Sequence, residues 1–166
     1  HTNLMGAEHT GFIRDFGALP FAAQCAYARI AGRKGTVYNI HRLHYAEIKN
    51  IPDQFDLLRE TGFVRGVRSQ DVRAYLKALT KPELINVMVD GLCETLFKRS
   101  WKKERLIDIA CKHIGSDAVV VPDGYIVQSR LSAFNYLLFL YFGRVETSLQ
   151  TKTLRELGLV RTSRSE

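Results

Sequence analysis

Asn50-Ile51-Pro52-Asp53-Gln54-Phe55-Asp56-Leu57-Leu58-Arg59-Glu60-Thr61-Gly62-Phe63-Val64 is the stretch on which the reading of this chain turns. Ile51, Phe55 and Leu58 fall at i, i+4 and i+7, one face of a helix that starts at Asn50 or Pro52. Gly62 is placed to end that helix, and Phe63-Val64 begins a strand. Upstream, Pro20 to Ala31 is rich in alanine, carries Phe21, Tyr27 and Ile30, and has proline in its first turn, which predicts another helix. Gly32 to Gly35 closes it, with Arg33 and Lys34 between the two glycines. Thr36-Val37-Tyr38 is short and β-prone. Asn39 can cap a short helix through Glu47, with Ile40, Leu43 and Ile48 as its apolar positions.

Helix, short strand, two short helices and strand is the order of a winged helix-turn-helix, a fold used mostly on duplex nucleic acid. The wing is reduced, because Arg65-Gly66-Val67-Arg68 leaves no room for a full hairpin before a helix that starts at Ser69. The third helix carries Asp53, Asp56 and Glu60 against Arg59, a poor composition for reading bases. Arg33, Lys34, Arg42 and Lys49 are the better candidates for DNA contact in this unit. Service as a scaffold is the competing reading.

Downstream, Ser69 to Leu79 places Val72, Tyr75, Leu76 and Leu79 on one side of a helix. Thr80-Lys81-Pro82-Glu83 is a capping box that opens the next helix, which buries Leu84, Ile85, Met88 and Leu92. After a linker, Ser100 caps a third helix with Leu106, Ile107, Ile109, Ala110 and Ile114 as its apolar side. Pro122-Asp123-Gly124 is a turn. Ser129 caps a helix with Leu131, Phe134, Leu138 and Tyr141 on a broad apolar face. Thr147-Ser148-Leu149-Gln150 is a second capping-box pattern, for a helix ending at Gly158. Residues 57–65 and 153–161 are identical at six of nine positions, although helix, glycine stop and strand is a common sequence of events. The expected fold class is mainly α with short β: a winged helix-turn-helix, a helical hairpin and a C-terminal helical unit. The expected boundaries are an N-terminal segment 1–19, then 20–68, 69–115 and 116–166.

The charge is unevenly placed. The chain has 166 residues and a formal net charge of +7. Residues 67–115 hold 10 basic and 6 acidic side chains, more than half of the excess. Most of it lies in Lys98-Arg99-Ser100-Trp101-Lys102-Lys103-Glu104-Arg105, with five cations against one acid. A dense cluster beside an aromatic ring suits a polyanion, since phosphates sit at close regular spacing. Its place at a helix N-terminus adds free N–H groups and the positive dipole end, at some cost in helix stability. A solvated helix face is the bland alternative.

Other function classes fare poorly. With 46% hydrophobic residues the chain can build a core and is not a disordered tail. Phe134 to Phe142 is the longest mostly apolar stretch, nine residues interrupted by Asn135 where a span needs about 20, so no membrane partner is expected. His1-Thr2-Asn3-Leu4 does not read as a secretory leader, and the expectation is a piece of a longer polypeptide. Cys25, Cys93 and Cys111 are too far apart for a metal motif and are read as reduced core thiols. A metal nuclease needs converging carboxylates, often with a lysine. Pro122-Asp123 has no E-x-K or D-x-K after it. His41 and His44, three apart, lack a third zinc ligand at suitable spacing. No phosphate-binding glycine loop and no nucleophile signature is present. No catalytic residue, metal ligand or cofactor is assigned to this chain.

Two resemblances sharpen the reading. Leu79-Thr80-Lys81-Pro82-Glu83-Leu84-Ile85, followed by Lys102-Lys103-Glu104-Arg105-Leu106-Ile107, resembles the SAP motif, a two-helix DNA-binding hairpin. Trp101 stands where that motif usually has glycine, so the turn departs from the pattern. More broadly, Arg33-Lys34-Gly35, Leu43-His44-Tyr45-Ala46-Glu47-Ile48, residues 57–64 and Leu137-Leu138-Phe139-Leu140-Tyr141-Phe142-Gly143-Arg144 resemble the N-terminal region of the Fanconi-associated nuclease family. The resemblance covers roughly residues 12 to 161. In that family such a region precedes helical repeats and a VRR-type nuclease domain, and similar regions accompany DnaQ-like exonucleases.

The resemblance implies a non-catalytic DNA-binding module of an intracellular repair nuclease, in a bacterial cytoplasm or a nucleus. It implies docking onto a catalytic domain outside this chain, with Mg²⁺ or Mn²⁺ required there. By the resemblance, Lys81, Arg99, Lys102 and Lys103 contact duplex, branched or flapped DNA. Lys98, Trp101 and Arg105 complete the candidate set from the charge pattern. The alternatives are a protein-interaction scaffold using the Phe134–Phe142 face and a small nuclease whose site is unrecognised.

Overall fold

A computed structural model describes residues 6–142 apart from residue 93. The readings placed at Cys93, and at the Thr147 capping box, the Gly158 stop and the repeat over 153–161, lie outside the described residues. The elements are α1 (Ala7–Gly17), α2 (Phe21–Ala31), β1 (Val37–Asn39), α3 (Ile51–Glu60), β2 (Val64–Gly66), α4 (Val72–Ala78), α5 (Lys81–Gly91), α6 (Lys103–His113), β3 (Tyr125–Gln128) and α7 (Leu131–Phe142). The protein is mainly helical with one three-stranded sheet of order β1-β3-β2. β1 and β3 run antiparallel, with Val37 opposite Val127 and Asn39 opposite Tyr125. The described residues divide into two compact units, one of residues 6–34, 40–65 and 128–142, the other of residues 35–39 and 66–127.

The first unit is built on aromatic packing. Phe12 and Phe16 lie one turn apart on α1, and Tyr27 on α2, Phe63 before β2 and Phe134 on α7 join them, all fully buried. Phe134 meets Tyr27 edge-on at 5.3 Å between ring centroids, and Phe63 meets Tyr27 at 5.4 Å. Such pairs add about 0.5–1.5 kcal/mol each beyond their buried area. The Tyr27 hydroxyl donates to the Ser129 carbonyl at 2.6 Å, and the Ser129 N–H donates to the Phe63 carbonyl at 2.9 Å. Arg130 comes next in a left-handed conformation, φ 60°, and its carbonyl accepts the first helical bond of α7 from Phe134. Ser129 therefore stands one residue outside the capping position expected for it.

Two further sequence expectations change in this unit. The segment 7–17, expected only as part of an N-terminal extension, is a helix. The helix expected from Asn39 through Glu47 is a single 3-10 turn, Ile40–Arg42, closed by Leu43 N–H to the Ile40 carbonyl. Ile40, Leu43 and Ile48 are buried without it, and Glu47 is drawn into an ion pair with Arg29 of α2. α3 starts after Asn50, which takes φ 56°, and stops at Gly62, whose φ of 84° suits a residue without Cβ. Of the α7 face read as apolar, Phe134 and Leu138 are buried and Leu131 is half-buried, while the side chain of Tyr141 lies outside the described residues.

The second unit packs α4, α5 and α6 around Tyr75, Leu76, Leu84, Met88, Leu106, Ile107 and Ala110. Tyr125 of β3 meets Tyr75 edge-on at 5.0 Å. The capping box at Thr80 forms in both directions: Glu83 N–H donates to the threonine hydroxyl, and Thr80 N–H donates to the Glu83 carboxylate at 2.8 Å. The helix expected from Ser69 begins as a 3-10 turn, Ser69–Asp71, before α4. Residues 125–128, to which the sequence reading gave no element, are strand β3. The cap of α6 is Lys102, not Ser100. Of the expected core thiols, Cys25 is buried, whereas Cys111 is exposed because it lies on the solvent side of α6.

Candidate nucleic-acid interface

The basic cluster enters α6 through a turn closed by Trp101 N–H to the Lys98 carbonyl. Lys98, Arg99 and Lys102 are exposed on this approach. Lys102 caps the helix through its backbone, Lys103 is its first residue and Arg105 its third. With no side-chain cap here, the first N–H groups of α6 remain available to an anion.

The cations are not equivalent. Arg99 forms an exposed ion pair with Glu94 at 3.0 Å, worth little in water. Lys103 donates from Nζ to the backbone carbonyl of Lys77 at 2.8 Å, binding the start of α6 to the end of α4. Arg105 lies over the indole: its guanidinium carbon is 3.7 Å from the Trp101 ring centroid. Trp101 itself is half-buried against the core that contains Leu106. Lys81 is half-buried at the start of α5.

Sequence reading missed two cations. Arg73 and Lys77 stand one turn apart on α4 and line an open groove of about 500 Å³ with Lys103, Glu104 and Asp108. Arg73 pairs with Asp108 there. Their i, i+4 spacing opposite Val72, Tyr75 and Leu76 was a readable signal. The meeting of Lys77 with Lys103, 26 positions away, was not.

In the first unit Arg33, Lys34, Arg42 and Lys49 are exposed. They do not form one compact cluster in sequence, and Arg33 donates to the Tyr45 hydroxyl at 3.4 Å. Tyr45 also receives Arg29 over its ring at 5.0 Å. Asp53, Asp56 and Glu60 of α3 are exposed, so its outer face is acidic. His41 and His44 border an open hollow with Tyr45 and Asn50. Among the described residues no group of three or more His, Cys, Asp or Glu could hold a metal ion. Among them, too, no helix is long and apolar enough to cross a membrane.

The class defined by this architecture is a mainly helical protein with a small three-stranded sheet. Residues 1–65 match the family model described as the FAN1 HTH domain. Over 163 residues the chain is 23% identical to the Fanconi-associated nuclease 1 homolog of Pseudomonas aeruginosa, covering 97% of this chain and 29% of that protein. Two crystal structures of paFAN1, bound to 1-nt and 2-nt 5′-flap DNA with a gap, share the fold at TM-scores of 0.70 and 0.69. In each, 22% identity extends over 99% of this chain and 31% of the other. The expected resemblance to the Fanconi-associated nucleases is present, to the N-terminal portion of the bacterial homolog. The chain spans less than a third of the relative it matches.

Proposed function

We propose that this chain is a non-catalytic DNA-binding module of a DNA-repair nuclease, binding duplex or branched DNA through phosphates with little sequence preference. The observation that carries the reading is the exposed row Lys98, Arg99, Lys102 at the uncapped start of α6, with Arg105 behind it. Cations at that spacing, ahead of free N–H groups, engage a backbone without reading base edges. The α5–α6 pair serves as the SAP-like hairpin of this module, and the first unit serves as a winged helix-turn-helix. The acidic face of α3 argues against a groove-reading role for that helix. The flap-bound paFAN1 structures support branched DNA as the ligand to try first. In this reading a catalytic domain outside this chain supplies cleavage and its Mg²⁺ or Mn²⁺.

The test is a binding titration with a 5′-flap duplex and with unbranched duplexes of two sequences, at several salt concentrations. Contacts to three to five phosphates give a log–log salt slope of about −2.7 to −4.5. Equal affinity for the two duplex sequences is expected. Absence of binding at 50 mM salt overturns the reading. Cleavage of the flap by the pure chain with Mg²⁺ or Mn²⁺ overturns its non-catalytic part.

A further inference from the structure

We infer that Trp101 is a positioning residue: it holds the Arg105 guanidinium flat so that its N–H edge is presented to a backbone phosphate. This rests on the phosphate-binding reading above. Three observations meet at the pair. The guanidinium carbon lies 3.7 Å from the indole centroid, close stacking for a cation on a ring. The indole is itself fixed, half-buried against the core of its unit. Exposed Lys98 and Lys102 flank it, so the pair sits within the cationic row rather than apart from it.

The physical consequence is preorganisation. A free arginine loses rotamer freedom when it binds, and stacking on a fixed ring removes most of that loss beforehand. Stacking uses the faces of the guanidinium and leaves its in-plane donors for a bidentate phosphate contact. A ring already covered by Arg105 is also a poor platform for a nucleobase. Trp101 thus acts through Arg105 and does not stack on an unpaired base.

Trp101 is the chain's only tryptophan, which gives the test two readouts. In duplex titrations of the full chain, Trp101→Leu keeps apolar bulk and removes no charge. It is expected to flatten the salt slope by about 0.9, the same as Arg105→Gln, and to weaken binding about eightfold at 0.1 M salt. The double variant is expected to be no worse than either single one, and Trp101→Phe to restore the slope. An unchanged slope in Trp101→Leu, with wild-type binding intact, overturns the inference and leaves the DNA-binding reading standing. A wild-type chain that does not bind overturns both. If Trp101→Leu fails to fold, tryptophan fluorescence decides. Arg105→Gln is expected to make the indole more quenchable by acrylamide. Oligothymidine is expected to quench Trp101 weakly in the wild type. Strong quenching by oligothymidine in the wild type would show base stacking and overturn the inference.

Discussion

Arg130 reaches Asp15 at 3.0 Å across 115 positions of sequence, and the same guanidinium lies 5.2 Å over the Phe12 ring and 5.0 Å over Phe63. One side chain in a left-handed backbone conformation therefore joins α1 to the start of α7 along the edge of the aromatic core. The Arg130 hydrogen bond, helped by Arg14 and opposed by partial desolvation, holds the Asp15 carboxyl below its ordinary value.

That shift fixes the sign of a pH effect. A carboxyl with a lower pKa in the folded state adds stability above its unfolded pKa of about 3.9 and loses it as pH falls through the folded value. Asp15→Asn is expected to lower the melting temperature by a constant amount above pH 5. The gap closes below pH 4. A gap that persists unchanged at pH 3 in thermal melts would contradict this role.

Tyr27 behaves oppositely. Burial pushes its phenol above the ordinary value of 10.0, with the Gln128 hydrogen bond and Arg130 acting the other way. Its contribution to stability is complete below pH 10 and is lost as pH rises beyond it. Tyr27→Phe strands the Ser129 carbonyl and is expected to cost about 1–2 kcal/mol at neutral pH. Urea titrations at pH 7 and pH 10.5 should show the difference from wild type narrowing at the higher pH.

At the hairpin, Thr80→Ala removes the acceptor for Glu83 N–H. A loss of about 1 kcal/mol in denaturant unfolding is expected. DNA affinity at fixed salt should stay unchanged, because no cation moves.

For the interface, Lys98→Ala with Lys102→Ala is expected to flatten the salt slope by about 1.8 for every duplex sequence. Glu94→Gln releases Arg99 from its ion pair and is expected to tighten binding at low salt. Filter-binding titrations from 50 to 200 mM salt check both. A fall in affinity for Glu94→Gln would mean that the pair orients Arg99 rather than occupying it.

What could be read in the sequence was local. The Thr80 capping box, the Gly62 stop and the apolar spacing of α3 each depend on nearby residues, and each is present in the structure. The helix expected through Glu47 failed because its acid and its tyrosine are claimed by α2, a competitor far along the chain. β3 carried no alternation to mark it, since Tyr125, Ile126 and Val127 are all buried. The basic row was visible as charge. Its differentiation was not: Lys103 spent on the Lys77 carbonyl and Arg105 laid on Trp101 are tertiary facts.

The aromatic core has a consequence for synthesis. Its rings enter the polypeptide at positions 12, 16, 27 and 63, but the last, Phe134, arrives only after the whole intervening unit has been translated. A nascent chain halted near residue 120 presents Phe12, Phe16, Tyr27 and Phe63 without their closing partner, a sticky surface that invites chaperones. The same holds for any clone cut at residue 65 to isolate the helix-turn-helix: it would leave Ser129 and Phe134 behind, and with them the closure of its own interior.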